Sequence, residues 1–229
     1  MRMRSLFIAA CVAGLAQVGF GDTIGSPLIQ RPVLDGNSGQ VYVYNGITQP
    51  FQSAGSISSW SFFDQQSGHA VTPLLFQING NNTFTLKGIG TTVISIGTGL
   101  RTNPFGLIAG TDVVAANQYT FGYTDRAYSM VGNQLTAGTS YTGTIPFDGP
   151  GVYTDQWECT AFAVTGGLPV TVHIGDQFGN AGTPFWTESY GIGRIYSAQA
   201  TVPEPSSVLL LVGGALMLTA KTRKRPRTS

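Results

Sequence analysis

The sequence predicts an all-β protein, with a single β-sandwich domain of jelly-roll type over residues 22–201 and an apolar helix at each end of the chain. Three observations lead to this prediction. Gly, Ser, Thr and aromatic residues dominate the middle of the chain, where strong helix formers are too sparse for long amphipathic helices. Several short segments alternate apolar and polar residues, as strands do. These segments recur about every ten residues between turn residues, which is typical of a sandwich, with a barrel as the alternative.

The chain begins with a short basic stretch followed by an apolar run. Two arginines lie within the first four residues, and the uncharged run continues to about Phe20. A secretory signal peptide has this order of parts, and its apolar region of about 7–15 residues is short for a membrane span. Gly19 and Gly21 are small enough for the pocket of a signal peptidase, so residues 1–21 are predicted to be a signal helix cleaved after Gly21. A permanent anchor and a lipoprotein signal at Cys11 are the alternatives.

The strand signals of the middle region are clearest in two hairpins. Residues 74–78 and 83–86 are apolar segments on either side of Asn79-Gly80-Asn81-Asn82, which favours a tight turn. Val41-Tyr42-Val43-Tyr44 leads into Asn45-Gly46, another strong turn pair. The remaining predicted strands are the alternating segments at residues 57–62, 91–96, 119–124, 157–165, 169–174 and 193–201.

The region between the two ends is acidic. Residues 22–202 contain five basic and ten acidic residues, a net charge of about −5, and the basic residues are scattered singly. Nucleic acids bind to clustered Lys and Arg, so no nucleic-acid partner is expected. Once the signal peptide is removed, Cys159 is the sole cysteine, and no intramolecular disulfide can form. The domain must then be stabilised by packing, and Cys159 is expected to be a buried thiol.

No pattern in the sequence is typical of an enzyme active site. His69, expected in a turn, and His173, expected on the solvent side of a strand, lack the spacing of a zinc site. The sequence contains no nucleophile elbow and no phosphate-binding loop. We therefore expect no catalytic residues, no cofactor and no metal. The alternatives are a sugar site at Asp155-Gln156-Trp157-Glu158 and a structural Ca²⁺ in the loop Asp176-Gln177-Phe178-Gly179-Asn180.

Residues 202–229 form a tail of three parts. The two prolines of Val202-Pro203-Glu204-Pro205 favour an extended backbone. They also have no backbone N–H groups to donate hydrogen bonds. Residues 208–220 carry no charge, and a helix of this length spans about 20 Å, less than the ~30 Å hydrocarbon core of a bilayer. Such a short transmembrane helix retains a protein only temporarily. A cluster of basic residues follows and holds the end of the chain in the cytoplasm: Lys221, Arg223, Lys224, Arg225 and Arg227.

These three parts, in this order at the end of the chain, resemble the PEP-CTERM sorting signal of exported bacterial proteins. The resemblance covers about a tenth of the chain. It implies that an exosortase recognises the motif Val202-Pro203-Glu204-Pro205 at the inner membrane and removes the tail. Signal peptidase and exosortase would then be the processing partners, and membrane attachment would be transient. The resemblance further implies that the processed protein reaches the cell surface or an exopolysaccharide-rich matrix.

The tail predicts that the protein reaches the cell surface or matrix, but it does not indicate the role of the β-sandwich domain. Our first hypothesis is a non-catalytic, structural or adhesive domain of a surface or matrix protein. A carbohydrate-binding module for exopolysaccharide is the alternative, and it requires aromatic side chains aligned on one exposed face. Burial of Trp60, Trp157 and Trp186 would count against that alternative. A secreted glycoside hydrolase would need two carboxylates about 5–10 Å apart in a cleft.

Overall fold

The computed structural model describes residues 21–34, 39–44, 50–81, 83–136, 144–148, 159–164, 171–179, 186–188 and 195–203. Within these ranges the protein is all-β, as predicted, with seventeen strands and no helix. No helix in this part of the chain has the length and apolar character needed to cross a membrane. The predicted signal helix and the predicted tail helix at residues 208–220 lie outside the described residues. Asp22–Val202 form one compact unit.

The strands are short, with one exception of fourteen residues. In chain order they are β1 (Asp22–Gly25), β2 (Val41–Tyr44), β3 (Gly55–Ser56), β4 (Ser59–Asp64), β5 (Ser67–Gly80), β6 (Thr83–Ile89), β7 (Val93–Ile96), β8 (Gly99–Pro104), β9 (Ala109–Gly110), β10 (Val113–Val114), β11 (Tyr119–Thr124), β12 (Ala127–Ser129), β13 (Gln134–Thr136), β14 (Cys159–Val164), β15 (Gln177–Phe178), β16 (Trp186–Glu188) and β17 (Ala198–Val202).

The strands are joined in antiparallel sheets of very different size. A four-stranded sheet has the order β1-β17-β4-β8. A nine-stranded sheet has the order β15-β6-β5-β11-β2-β14-β16, and β7 and β9 add to β5 and β6. Two further pairs, β3 with β10 and β12 with β13, are separate two-stranded sheets. The first and the last strand of the domain are therefore neighbours.

The main core consists of large aromatic side chains contributed by both sheets. Trp60 and Phe62 of the four-stranded sheet stack with ring centroids 4.8 Å apart. Tyr42 and Tyr123, which are opposite each other in the nine-stranded sheet, stack at 4.6 Å. All four belong to one buried cluster, and Trp60 is only 1% exposed. Aromatic side chains bury large apolar areas, so this cluster is the main source of packing energy between the two sheets.

The nine-stranded sheet is buried on both of its faces. Tyr42 and Tyr44 of β2 face the aromatic core, whereas Val41 and Val43 belong to a second buried cluster. Leu135 of β13 belongs to the second cluster as well and therefore covers this other face. In β2 the Tyr side chains therefore lie on one face of the sheet and the Val side chains on the other. Both faces are apolar, and every residue of β2 is buried.

Most predicted strands are present, with shifted ends. Residues 74–78 and 83–86 lie within β5 and β6, and 119–124 coincide with β11. The predicted strand at residues 169–174 is an error over its described part, where Val172 forms an isolated bridge with Leu135. Within residues 171–174, the backbone therefore pairs with β13 at Val172 alone, and a turn follows.

Trp60→Ala tests whether the aromatic core stabilises the domain. We expect the variant to lose about 3–5 kcal/mol of the free energy of unfolding, because a fully buried large side chain is replaced by a cavity. Leu100→Ala is the control, since Leu100 is 56% exposed at the outer strand β8. It should change the free energy of unfolding by less than about 0.5 kcal/mol. Urea denaturation followed by circular dichroism measures both, and equal losses would contradict the proposed role of the core.

Candidate functional site

The last strand of the domain runs directly into the predicted sorting motif. Val202 is the final residue of β17, is buried and lies opposite Asp22 of β1. Pro203 follows immediately and is exposed. The last strand extends one residue past the predicted domain end at residue 201. Glu204, Pro205 and the basic cluster lie outside the described residues.

Pro203 marks the point at which the chain leaves the sheet. Proline has no backbone N–H and cannot continue the ladder of a strand that is paired on both sides, as β17 is by β1 and β4. Val202 has its side chain in the core and is therefore inaccessible to a processing enzyme while the sheet is intact. An enzyme that needs an extended, accessible substrate would thus act on the chain after Val202.

Side-chain and backbone contacts hold the end of β17 firmly. The backbone N–H and the hydroxyl of Ser58 donate to the carbonyl of Thr201, at 3.0 and 3.2 Å. The hydroxyls of Thr23 and Thr201 are 3.0 Å apart across the β1–β17 pair. The carboxylate of Asp22 accepts hydrogen bonds from the backbone N–H groups of Gln52 and Ser53. The edge strand β1 is thereby fixed to a neighbouring loop at the same end.

The beginning of β17 is held from inside the core. The hydroxyl of Tyr44 donates to the carbonyl of Tyr196 at 2.7 Å and accepts from the backbone N–H of Ala198 at 3.2 Å. Burial raises the pKa of Tyr44 well above its usual value, and the nearby Cys159 adds to the rise. A neutral hydroxyl is needed to donate to Tyr196, so the raised pKa keeps this contact intact.

An ion pair between the buried Arg31 and the half-buried Asp148 lies next to the same segment. Arg31 donates through Nε to the hydroxyl of Ser197 at 2.7 Å, and its Nη1 is 2.5 Å from Oδ2 of Asp148. The Ser197 hydroxyl in turn donates to the carbonyl of Ile29 at 2.6 Å. These charge-assisted contacts satisfy the buried guanidinium and tie Ser197, the residue before β17, to the N-terminal segment.

One buried carboxylate, that of Asp64, has several structural partners. Asp64 is fully buried and accepts from the backbone N–H of Ile96 at 2.9 Å, from that of Gly97 at 3.1 Å and from Nε of Arg101 at 3.3 Å. Asp64 thereby fixes the β7–β8 connection to the end of β4. Sequence analysis did not single out Asp64 or Arg101, since they are 37 residues apart. A lone Asp at a strand end carries no signal of such a contact.

The two histidines lie in different surroundings from those expected. His69 is a half-buried residue of β5 rather than of a turn, because β5 begins earlier than predicted, at Ser67. The backbone N–H of His173 donates to Oδ2 of Asp176 at 2.8 Å, within a turn rather than a strand. Among the described residues, no group of three or more His, Cys, Asp or Glu side chains is placed to hold a metal ion.

The loop considered as a Ca²⁺ site is described at residues 176–179, where it forms a turn and a short strand. Asp176 closes the turn with His173, and Gln177–Phe178 form β15 on the edge of the nine-stranded sheet. Phe178 packs in the second buried cluster, with its ring centroid 5.5 Å from that of Phe76. This segment therefore covers the core.

The described aromatic side chains are buried or half-buried. Trp60 is buried against Phe62. The exposed large apolar residues are aliphatic or Met, and no aromatic side chain whose exposure is described belongs to them. Trp186 lies in β16, where the structure describes the backbone alone, and Asp155, Trp157 and Glu158 lie outside the described residues.

The chain was compared with protein families, curated proteins and solved structures. No protein-family model, no curated protein and no solved structure matches this chain.

Alkaline pH should weaken the domain through its buried tyrosines. Burial raises the pKa of Tyr44 and of Tyr123 well above 10.0, whereas the unfolded chain ionises its tyrosines near pH 10. Below about pH 10 both states keep these protons, so the two tyrosines add no pH dependence. Above it, the unfolded state releases protons that the folded state retains, so the free energy of unfolding falls as pH rises.

Urea denaturation at about pH 8, 10 and 11 measures this dependence, and phenolate absorbance reports ionisation. Tyr44→Phe is the comparison variant. It lowers stability at every pH but should reduce the slope above about pH 10, because one ionising group is removed. A free energy of unfolding that is unchanged between about pH 8 and pH 11 would contradict the prediction.

Proposed function

We propose that the chain is an exported surface or extracellular-matrix protein, with a non-catalytic domain in a structural or adhesive role. The observation that carries the proposal is the pairing of Asp22 with Val202. Asp22 is the first residue of β1, and Val202 is the last residue of the neighbouring strand β17. The predicted signal peptide ends one residue before this pair, and Pro203 of the predicted sorting motif follows it. In sequence, both predicted segments therefore lie outside the residues that this strand pair joins, as expected of segments that are removed.

Removal of the two segments would leave the described fold complete. The compact unit spans Asp22–Val202, and the described residues of both buried clusters belong to it. Proteolysis at both ends would thus cost no strand and no described core contact. A protein processed first by signal peptidase and then by an exosortase needs this independence, because its domain has to persist after each cleavage.

We infer that the domain is a β-sandwich of jelly-roll type. The four-stranded and nine-stranded sheets share the aromatic core, with Trp60 on one side and Tyr42 on the other. The chain also passes repeatedly from one sheet to the other, as β2, β4, β5, β8, β11 and β17 alternate between them. Such crossings, rather than hairpins alone, are a property of sandwich folds.

The length and charge of the tail suit a temporary membrane anchor. A short transmembrane helix at residues 208–220 would hold the protein in the inner membrane, and Lys221, Arg223, Lys224, Arg225 and Arg227 would stop its transfer. Exosortase would act on the residues that follow Val202. Val202 itself is buried in the sheet and would be protected from cleavage. Membrane attachment then ends, and the domain passes to the surface or to the exopolysaccharide matrix.

The contacts of the acidic residues support a structural role for the domain. Asp22, Asp64 and Asp176 accept backbone hydrogen bonds that fix loops and turns, and Asp148 pairs with Arg31. These charges hold the fold together. A net charge of about −5 would also help to keep an exported domain soluble.

Processing is tested by expressing the full chain in a host with and without an exosortase. An epitope inserted between Met130 and Val131, which are 88% and 85% exposed, marks the domain without touching either end. We expect a form that lacks the tail, with a new C-terminus after Val202, in the competent host alone. Intact-mass spectrometry of the extracellular fraction measures it.

Replacement of Pro203 and Pro205 by Ala should prevent this cleavage and keep the protein in the membrane fraction. Pro104→Ala is the matched control, because Pro104 is an exposed proline at the end of β8, a strand that does not pair with β17, and lies outside the predicted motif. It should be processed like the original chain. Extracellular protein with peptides that end at Ser229 would refute the sorting assignment.

A further inference from the structure

One end of the four-stranded sheet holds both points at which the chain enters and leaves the domain. Asp22, where β1 begins, lies directly opposite Val202, where β17 ends. In the next strands of the sheet, Thr201 lies opposite Ser59, and Ser59 lies opposite Pro104. We call this end of the sheet the exit end. The predicted signal peptide and the predicted tail are both joined to the domain here.

A further segment is attached to the exit end by backbone hydrogen bonds. The N–H of Ser58 donates to the carbonyl of Thr201 at 3.0 Å, and the N–H of Phe105 donates to the carbonyl of Ser58 at 3.2 Å. The N–H of Ile57 donates to the carbonyl of Asp112 at 2.9 Å. The chain from Phe105 to Asp112 is therefore held beside the exit at both of its ends.

Three aliphatic side chains in and next to this segment are exposed. The exposed fractions are 43% for Leu107, 39% for Ile108 and 55% for Val113. Val113 pairs with Ser56 and so belongs to the exit end as well. Exposed apolar side chains that are grouped and flanked by polar residues mark sites of contact with a membrane or another protein.

We propose that Leu107, Ile108 and Val113 rest on the lipid bilayer while the tail is inserted, so that the exit end is a membrane-docking surface. The inference rests on the proposed function, because it needs the tail as an anchor. Only residues 203–207 connect the exit end to the predicted helix at residues 208–220. Five residues reach at most about 18 Å, so the exit end cannot move farther than this from the helix.

The short helix brings the exit end closer to the bilayer. Residues 208–220 span about 20 Å, whereas the hydrocarbon core is about 30 Å thick. A helix shorter than the core draws its flanking residues into the interface, which uses part of the reach of residues 203–207. Before signal peptidase acts, the apolar run that ends at about Phe20 holds the same end of the domain, two residues from Asp22.

The charges at the exit end favour an uncharged lipid surface as the occupant. Residues 50–60 and 104–111 contain no charged residue, and none of residues 104–113 is basic. Anionic headgroups therefore gain no attraction, and the contact should not depend on salt. Asp22 and Asp112 are half-buried. They limit the contact to the interface, because a carboxylate in the hydrocarbon core is costly.

The contact is weak without the tail. Three partly exposed side chains bury less apolar area than one acyl chain, and a single myristoyl chain binds membranes only marginally. The tether raises the effective concentration of the bilayer, so a weak contact is sufficient while the tail is attached. Docking holds Pro203 and the rest of the motif at the membrane surface, where an exosortase acts. Once the tail is removed, the contact no longer retains the domain.

A fluorescent label on the full chain tests the docking. The label is nitrobenzoxadiazole on Val113→Cys in a Cys11→Ala background, where the buried Cys159 stays unlabelled. The chain is reconstituted in phosphatidylcholine vesicles with and without nitroxide-labelled lipid, and we expect the nitroxide to quench the label.

The matched control is the same label on Ile96→Cys. Ile96 is 71% exposed, and its backbone N–H binds Asp64. Asp64 lies at the opposite end of β4 from Ser59, about 17 Å away. The control label should not be quenched.

Leu107→Ser combined with Ile108→Ser tests whether the aliphatic side chains make the contact. Quenching of the label on Val113→Cys should fall by about half or more, because the apolar area that the lipid covers is removed. Leu100→Ser combined with Ile96→Ser is the control, since these residues are 56% and 71% exposed at the other end of the sheet. It should leave the quenching unchanged, and equal quenching in both double variants overturns the inference.

Flotation of the vesicles separates failure of the docking from failure of the anchor. An unquenched label on chains that float with the vesicles overturns the docking and leaves membrane anchoring intact. Chains that do not float contradict the anchor of the proposed function and the docking with it. A label that becomes shielded as protein concentration rises, without quenching by nitroxide lipid, shows that a second copy covers the surface, which also overturns the inference.

Discussion

The packing of two sheets on one aromatic core is the interaction on which this structure depends. Cys159 is buried and is not part of a disulfide, and it would be the only cysteine of a chain cleaved after Gly21, so the domain would be stabilised by packing. Trp60 and Phe62 from one sheet and Tyr42 and Tyr123 from the other are among the large aromatic side chains of this core. Because the strands are short, no pair of them would be stable outside this packing.

Burying tyrosines brings polar groups into the core, and the fold satisfies them in several ways. Tyr44 uses the backbone around Tyr196 and Ala198. Thr124 donates to the carbonyl of Gln40 at 2.6 Å. Each solution joins segments that are distant in sequence, so polar groups in the core contribute to the specificity of the fold.

The same packing determines how the ends of the chain relate to the domain. β17 lies between β1 and β4, so the last residues of the domain belong to the interior of a sheet. Val202 is buried, while Pro203, the next residue, is exposed. The change from protected to accessible backbone thus occurs within one peptide bond. This sharp boundary is the structural basis for the proposed removal of a tail that leaves the domain intact.

The sequence by itself determined the all-β class and the positions of most strands, because alternation and turn residues such as those around Asn79–Asn82 act over a few neighbours. It also predicted a sorting motif, a prediction that depends only on the order of residues along the chain. Only the tertiary structure decided that both faces of β2 are buried, that Asp64 contacts Arg101 and that Asp22 lies opposite Val202. These relations join residues far apart in sequence, and local patterns carry no information on which distant strands will pair.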